Sequence, residues 1–328
     1  MFKNRFGLLI LGLALGASLS VTPQVYANES AEGIDSTAPL QFGDITPEED
    51  MVPSIDPMES GSTKTVDPTL PRPRVRKSAT NPSSGSFSMP PIGSCEDLRT
   101  NWGYGTRENN YNAPIFNAVS SSWPHGNVVP LHPLLLKSLL ACESGFDPNA
   151  VSYTGAVGIA QLTPETARRF GLGWSASRDP NQAIPAGVKV LAEKARVVID
   201  PGNYHKMMGL PVERCQYAQK VAAAYKKYGP PSVEQYWYLM LAAYNGGGGT
   251  VLRAMAVASD RGLDPRDWSN LVGNRNDPYN APLYLACTNI FGSGAMGKYR
   301  EVADYPVKII KLYNKSVAPE QRIELKTN

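Results

Sequence analysis

From Ile92 onward the apolar positions recur at three- and four-residue intervals, and the two-residue alternation of a strand is nearly absent. That spacing lines one stripe of an α-helix, because about 3.6 residues complete a turn. The clearest instance lies between Leu131 and Leu172. His132-Pro133 predicts a helix start, since proline suits the first turn, where its missing N–H costs nothing. Leu136, Leu139 and Leu140 precede Glu143 by seven, four and three residues, which sets a carboxylate on an apolar stripe. Gly145 predicts a left-handed stop, and Thr163-Pro164-Glu165 opens the next helix with a cap residue and a first-turn proline.

The pattern continues to the C-terminus. Asp179-Pro180-Asn181-Gln182 opens a helix carrying Ile184, Val188 and Leu191. Glu213 to Tyr228 reads as another, and its stripe of Tyr217, Val221, Tyr225 and Tyr228 suits a core. Gly229-Pro230-Pro231 ends it. Ser232-Val233-Glu234-Gln235 looks like a capping box, and its helix should run to Tyr244-Asn245, where Gly246 to Gly249 break it. Leu283 to Phe291 and Tyr299 to Tyr313 complete an all-α fold. No internal repeat is evident.

The first third of the chain reads differently. Residues 1–27 have the form of an export signal, with Lys3 and Arg5, an apolar run from Phe6 to Leu19, and Val25-Tyr26-Ala27 as a cleavage site. The run is too short for a comfortable span, and no cysteine follows it to carry a lipid. A periplasmic or secreted protein without a stable membrane anchor is therefore expected; an uncleaved anchor is the alternative. Residues 28–91 are rich in proline and serine, acidic at Glu48, Glu49 and Asp50 and basic at Arg72, Arg74, Arg76 and Lys77. With few large apolar side chains they predict a disordered linker. The other reading is a peptide that engages partners of the envelope or of a secretion machine.

Composition narrows the functional classes. At 42% hydrophobic and 19% charged, the chain is that of an ordinary globular protein. A net charge of +3 is mildly basic, too weak to argue for nucleic acid, and reads best as an unremarkable surface charge. Cys95, Cys142, Cys215 and Cys287 make an even count, which in an exported chain favours two disulfides in any of three pairings over buried free thiols. The glycine run lacks the Gly-Lys-Ser/Thr of a phosphate loop. His125, His132, His205 and the separated cysteines match no zinc spacing, so neither metal nor cofactor is expected.

Glu143 is the candidate with chemistry. It falls in the last turn of its helix, near the negative end of the dipole and among leucines. Both features disfavour the ionised form, and a carboxyl that stays protonated near neutral pH can serve as a general acid. The bland alternative is a glutamate at a fraying end, facing water. Against it stand the small residues from Gly155 to Ala160, which let backbone approach a ligand, and Gln161, which can donate and accept.

Glu143-Ser144, Gly158-Ile159-Ala160-Gln161 and Ala243-Tyr244-Asn245 resemble, in order and rough spacing, the three motifs of the soluble lytic transglycosylase (SLT, lysozyme-like) family. The resemblance covers Val129 to Lys315. Ala160 stands where the family usually has methionine, and the segment between the second and third motifs is longer than usual. Glu301 and Tyr305 are similar to the family's late Glu-Thr-x-x-Tyr-Val pattern, with Val302 and Pro306 in place of its threonine and valine. The resemblance implies a lysozyme-like helical catalytic domain over residues 129–328, with 92–128 as a helical or irregular extension packed on it. It implies peptidoglycan glycan strands as substrate, cut at the β-1,4 bond between N-acetylmuramic acid and N-acetylglucosamine to leave 1,6-anhydromuramic ends. Glu143 would be acid and then base, assisted by the substrate's own acetamido group, with Ser144, Gln161, Tyr244, Asn245 and Tyr305 holding the glycan. Asp147, Asp179 and Asp304 are poor second carboxylates, the first two because a turn and a helix cap claim them. A hydrolytic lysozyme on the same fold and a non-catalytic peptidoglycan-binding protein are the rival readings.

Overall fold

Cap residues or first-turn prolines start several of the long helices. A computed structural model describes residues 93–124 and 129–326; the export signal and linker expected at 1–27 and 28–91 lie outside the described residues. After 3₁₀ turns at Cys95–Leu98 and Gly105–Asn109 comes α1 (Asn112–Ser122). Helix α2 (Pro133–Ser144) starts where His132 Nδ1 accepts from the Leu134 N–H and stops at Gly145, whose φ is 59°. Thr163 caps α3 (Pro164–Arg169) and Asp179 caps α4 (Pro180–Ile199). Next come α5 (Tyr204–Met208) and α6 (Gln216–Tyr228), the latter preceded by a 3₁₀ turn rather than beginning at Glu213. Ser232 caps α7 (Val233–Gly246), followed by α8 (Gly248–Asp260), α9 (Trp268–Val272), α10 (Pro282–Phe291) and α11 (Ala295–Asn314). No β-strand forms among the described residues; Val151 with Val157 and Val157 with Leu162 make two isolated bridges. The fold is all-α.

Helix α7 is the hub. Every residue from Tyr236 to Ala243 is buried, and α4, α8 and α11 pack around it. A helix that is apolar on all sides belongs inside a protein. Helix α2 lies against α1 and α11, with Leu135, Leu136, Leu139 and Leu140 fully buried. Each such leucine contributes about 1.5–3 kcal/mol of transfer free energy. The tyrosine stripe of α6 is core only in part: Val221 is buried, Tyr217 and Tyr225 are half-buried, and Tyr228 is exposed.

Two expectations are corrected. The run Gly246 to Gly249 does not form a flexible break. Gly247 alone, at φ 84°, turns the chain, and α8 resumes at once. Its neighbours are small because helices approach closely there: a Cβ on Gly246 would lie 2.7 Å from Val302 Cγ2, and one on Gly248 2.9 Å from Val197 Cγ1. The two disulfides are also not formed, all four cysteines being free. They sit on four separate elements, and Cys215 and Cys287 are fully buried as small apolar side chains. Burial pushes the thiols of Cys142 and Cys287 up to about 11, which starves them of the reactive thiolate.

Candidate active site

The site is assembled by hydrogen bonds that tie its motifs end to end. Ser144 Oγ, at the end of α2, donates to the Ile159 carbonyl at 2.9 Å and accepts from the Asp147 N–H at 3.2 Å. It thereby clips the Gly158–Gln161 loop to the helix that carries Glu143. The Tyr244 hydroxyl, near the end of α7, donates to the Ala160 carbonyl at 2.9 Å. Ala160 itself is fully buried and faces Gly187, where an added Cβ would stand 3.1 Å from the Ala160 methyl, so the two small residues let the loop and α4 approach closely. Asn245 Nδ2 donates to Glu301 Oε1 at 2.8 Å, while Lys298 Nζ donates to the Asn245 carbonyl at 3.1 Å and to its Oδ1 at 3.3 Å. Lys298 also pairs with Glu301 at 3.3 Å. The loop after α2, the end of α7 and the start of α11 are thus one network.

Glu143 stands at its centre, half-buried, with the Tyr305 hydroxyl of α11 donating to its Oε1. Burial is the main influence on the carboxyl and raises it from an ordinary 4.5 to about 7. The Tyr305 hydrogen bond opposes that rise, Glu301 adds to it through repulsion, and Lys298 counters it. The phenols of Tyr244 and Tyr305 are held well above their usual range, first by burial and then by the Glu143 charge. Both therefore act as neutral hydrogen-bond donors. The arrangement can hold a proton near neutral pH and release it to a neighbouring atom.

All six residues singled out in the sequence take part, though not in one role. Glu143 and Tyr305 touch directly. Gln161 adopts a left-handed φ of 46° and spends its amide N–H groups on the Gly158 carbonyl at 2.9 Å and the Ala150 carbonyl at 3.2 Å. It braces the loop from within. The other carboxylates are engaged elsewhere: Asp147 with Arg107 at 3.0 Å, Asp179 as the α4 cap, and Asp304 with Arg275. Lys298 was missed, although its spacing of three from Glu301 on a helix marks an ion pair. A cavity of about 580 Å³ lined by Trp123, Phe170, Glu193 and Arg196 has none of the six in its wall. Among the described residues no group of three or more His, Cys, Asp or Glu is placed to hold a metal ion.

Comparison with known proteins finds similarity over the stretch that carries most of these residues. A family model described as the transglycosylase SLT domain matches residues 129–264. Over that stretch the chain is similar to the transglycosylase SLT domain. Among curated proteins, membrane-bound lytic murein transglycosylase C of Glaesserella parasuis serovar 5 is 30% identical over 183 residues, covering 51% of this chain and 42% of the relative. Membrane-bound lytic murein transglycosylase F 2 of Alkalilimnicola ehrlichii is 31% identical over 137 residues, 42% of this chain and 24% of the relative. Membrane-bound lytic murein transglycosylase D of Escherichia coli strain K12 is 27% identical over 158 residues, 48% of this chain and 28% of the relative. The chain thus spans less than half the length of each of these relatives. No helix among the described residues is long and apolar enough to cross a membrane. Glu143, Ser144, Gln161, Tyr244 and Asn245 fall within the matched stretch; Lys298, Glu301 and Tyr305 lie beyond it.

Proposed function

We propose that this protein is a peptidoglycan lytic transglycosylase acting in the cell envelope. The observation that carries the reading is Glu143 itself, a half-buried carboxyl raised to about 7 by burial and bonded to a neutral phenol. The relatives' names as lytic murein transglycosylases support murein as the substrate, and the signal-like residues 1–27 support an envelope location. In the first step Glu143 gives its proton to the glycosidic oxygen between N-acetylmuramic acid and N-acetylglucosamine. The C1–O bond breaks while the muramic acetamido oxygen supports the developing oxocarbenium ion. Glu143, now a carboxylate, takes the proton of the muramic C6 hydroxyl, and O6 closes on C1 to give the 1,6-anhydro ring without water. Tyr305 orients the carboxyl in both steps. Ser144, Gln161 and Tyr244 fix the loop and helix ends around it, and Asn245 lies beside them, linked to Lys298 and Glu301.

Mass spectrometry of fragments released from purified sacculi tests the reading. Anhydro ends are expected, and their loss in Glu143→Gln, whose rate should fall roughly 100- to 10,000-fold. Reducing ends would identify a hydrolase instead. Binding with no released fragment would identify a protein that only holds glycan.

A further inference from the structure

The family match begins at residue 129, yet the chain before α1 grips the turn that follows Glu143. In that turn Gly145 and Phe146 are both left-handed, at φ 59° and 64°, and Phe146 is fully buried. A bulky aromatic residue keeps such a backbone only where its surroundings over-determine it. The surroundings come from the N-terminal segment. The Tyr104 ring meets Phe146 edge-on with centroids 5.4 Å apart, and its Cδ1 lies 3.4 Å from where a Cβ of Gly145 would stand. Arg107 pairs with Asp147 at 3.0 Å across the same turn.

Two buried charges hold the segment around Tyr104. Glu108, 2% exposed, accepts the N–H groups of Trp102, Gly103 and Tyr104 at 2.6, 3.0 and 3.0 Å. Lys137, on α2 and fully buried, donates to the Leu98 carbonyl at 2.6 Å and to Asn109 Oδ1 at 2.9 Å. Trp102 Nε1 in turn donates to Ser316 Oγ at 2.8 Å, just past the end of α11. One short segment is therefore bonded both to the helix of Glu143 and to the chain that leaves the helix of Tyr305. Buried charges give little net stability compared with apolar packing, and their attested use is to fix one geometry.

We propose that residues 98–109 form a positioning strap, anchored to α2 by Lys137, in which Tyr104, seated by Glu108, holds the turn after α2 and with it the Glu143–Tyr305 hydrogen bond. Tyr104 is a positioning residue and touches no reacting atom. The proposal rests on the reading of Glu143 as the proton donor. Three full-chain variants test it: Tyr104→Ala, Tyr104→Leu and Tyr104→Phe. Each is followed by kcat and KM on soluble peptidoglycan, by thermal unfolding, and by carbon-13 NMR titration of the Glu143 carboxyl. Tyr104→Ala should lower kcat by about ten- to a hundredfold with KM unchanged, the range of loss that a small misplacement causes. Its Glu143 titration midpoint should fall from about 7 towards 4.5 as water reaches the turn. Tyr104→Phe keeps the ring and should restore both. If Tyr104→Ala does not fold, Tyr104→Leu takes its place with the same expectations. Wild-type kcat and midpoint in the folded variant, or failure of Tyr104→Phe to restore them, would overturn the strap. The NMR midpoint needs no activity, so it still reports on the strap should Glu143→Gln prove fully active and the functional reading fall.

Discussion

Tyr305 and Glu143 are 162 positions apart in the chain, and the phenol of one donates a hydrogen bond to the carboxyl of the other. The bond favours the ionised acid, because a donor stabilises negative charge. It therefore opposes the burial that raises Glu143 to about 7. Tyr305→Phe removes the opposing influence and leaves the burial. The alkaline limb of the activity profile should move to higher pH, because the acid keeps its proton longer. At pH 6, where the acid is already protonated in both proteins, the rate should still fall roughly tenfold from poorer orientation. A pH–kcat series on the two proteins checks both effects. A limb that moved downward would contradict the assigned donor.

Lys298 and Glu301 push Glu143 in opposite directions, and this makes a matched pair of variants. Glu301 repels the carboxylate and raises its pKa; Lys298 attracts it and lowers the pKa. Glu301→Gln should therefore move the alkaline limb down, and Lys298→Met should move it up. Added salt should shrink both displacements, since charges near the surface are screened over roughly 8 Å at physiological ionic strength. Shifts of one sign in both variants would show that the pair acts through the fold and not through charge.

Much of this site could be read before any coordinates. The leucine spacing around Glu143 and the His132-Pro133 and Gly145 signals depend on local chain geometry, so α2 came out almost to the residue. Helices α5, α8 and α9 were missed for physical reasons. Helix α8 opens with glycines, which are poor helix formers whose place here is set by contacts with Val197 and the Tyr204 hydroxyl. Helices α5 and α9 are too short to show a period. The roles of Gln161 and Ser144 also depend on distant partners. An amide in a small-residue loop reads equally as a ligand contact or a brace, and only its bonds to Gly158 and Ala150 tell which. The cysteines misled because composition records how many thiols exist, and not whether their Cα atoms can meet.

Gly158 shows how tightly the second motif is bound to the fold. Its φ is 78°, and a Cβ added there would stand 1.9 Å from the Ser177 carbonyl oxygen, which is backbone and cannot swing aside. Gly158→Ala should destabilise the protein by more than about 1 kcal/mol from backbone strain alone, with the clash adding to it. The loop must then shift, and the Ser144 bond to Ile159 shifts with it. Urea unfolding should show a lower midpoint, and activity should fall even at temperatures where the variant is folded. Gly171→Ala, at a similar φ of 77° but with nothing within 4 Å, supplies the control for strain without collision and should keep its activity.

The Glu143 carboxyl also ties stability to pH, and the sign can be worked out. Its pKa is about 7 in the folded protein and an ordinary 4.5 when unfolded. Between these values the folded state holds the proton more tightly, so stability falls as pH rises from about 4.5 to about 7. Above that range the whole cost of a buried carboxylate is present, on the order of 3 kcal/mol. Below about 4.5 the group is neutral in both states and the cost vanishes. Glutamine can accept the Tyr305 bond without charge, so Glu143→Gln should be the more stable protein at pH 8, by roughly 5 °C in Tm. The gap should close towards pH 4. Circular-dichroism melts at pH 4, 6 and 8 decide the matter. Equal melting temperatures at pH 8 would mean that Glu143 ionises as freely in the fold as outside it, and such a residue could not carry a proton to a glycosidic oxygen at neutral pH.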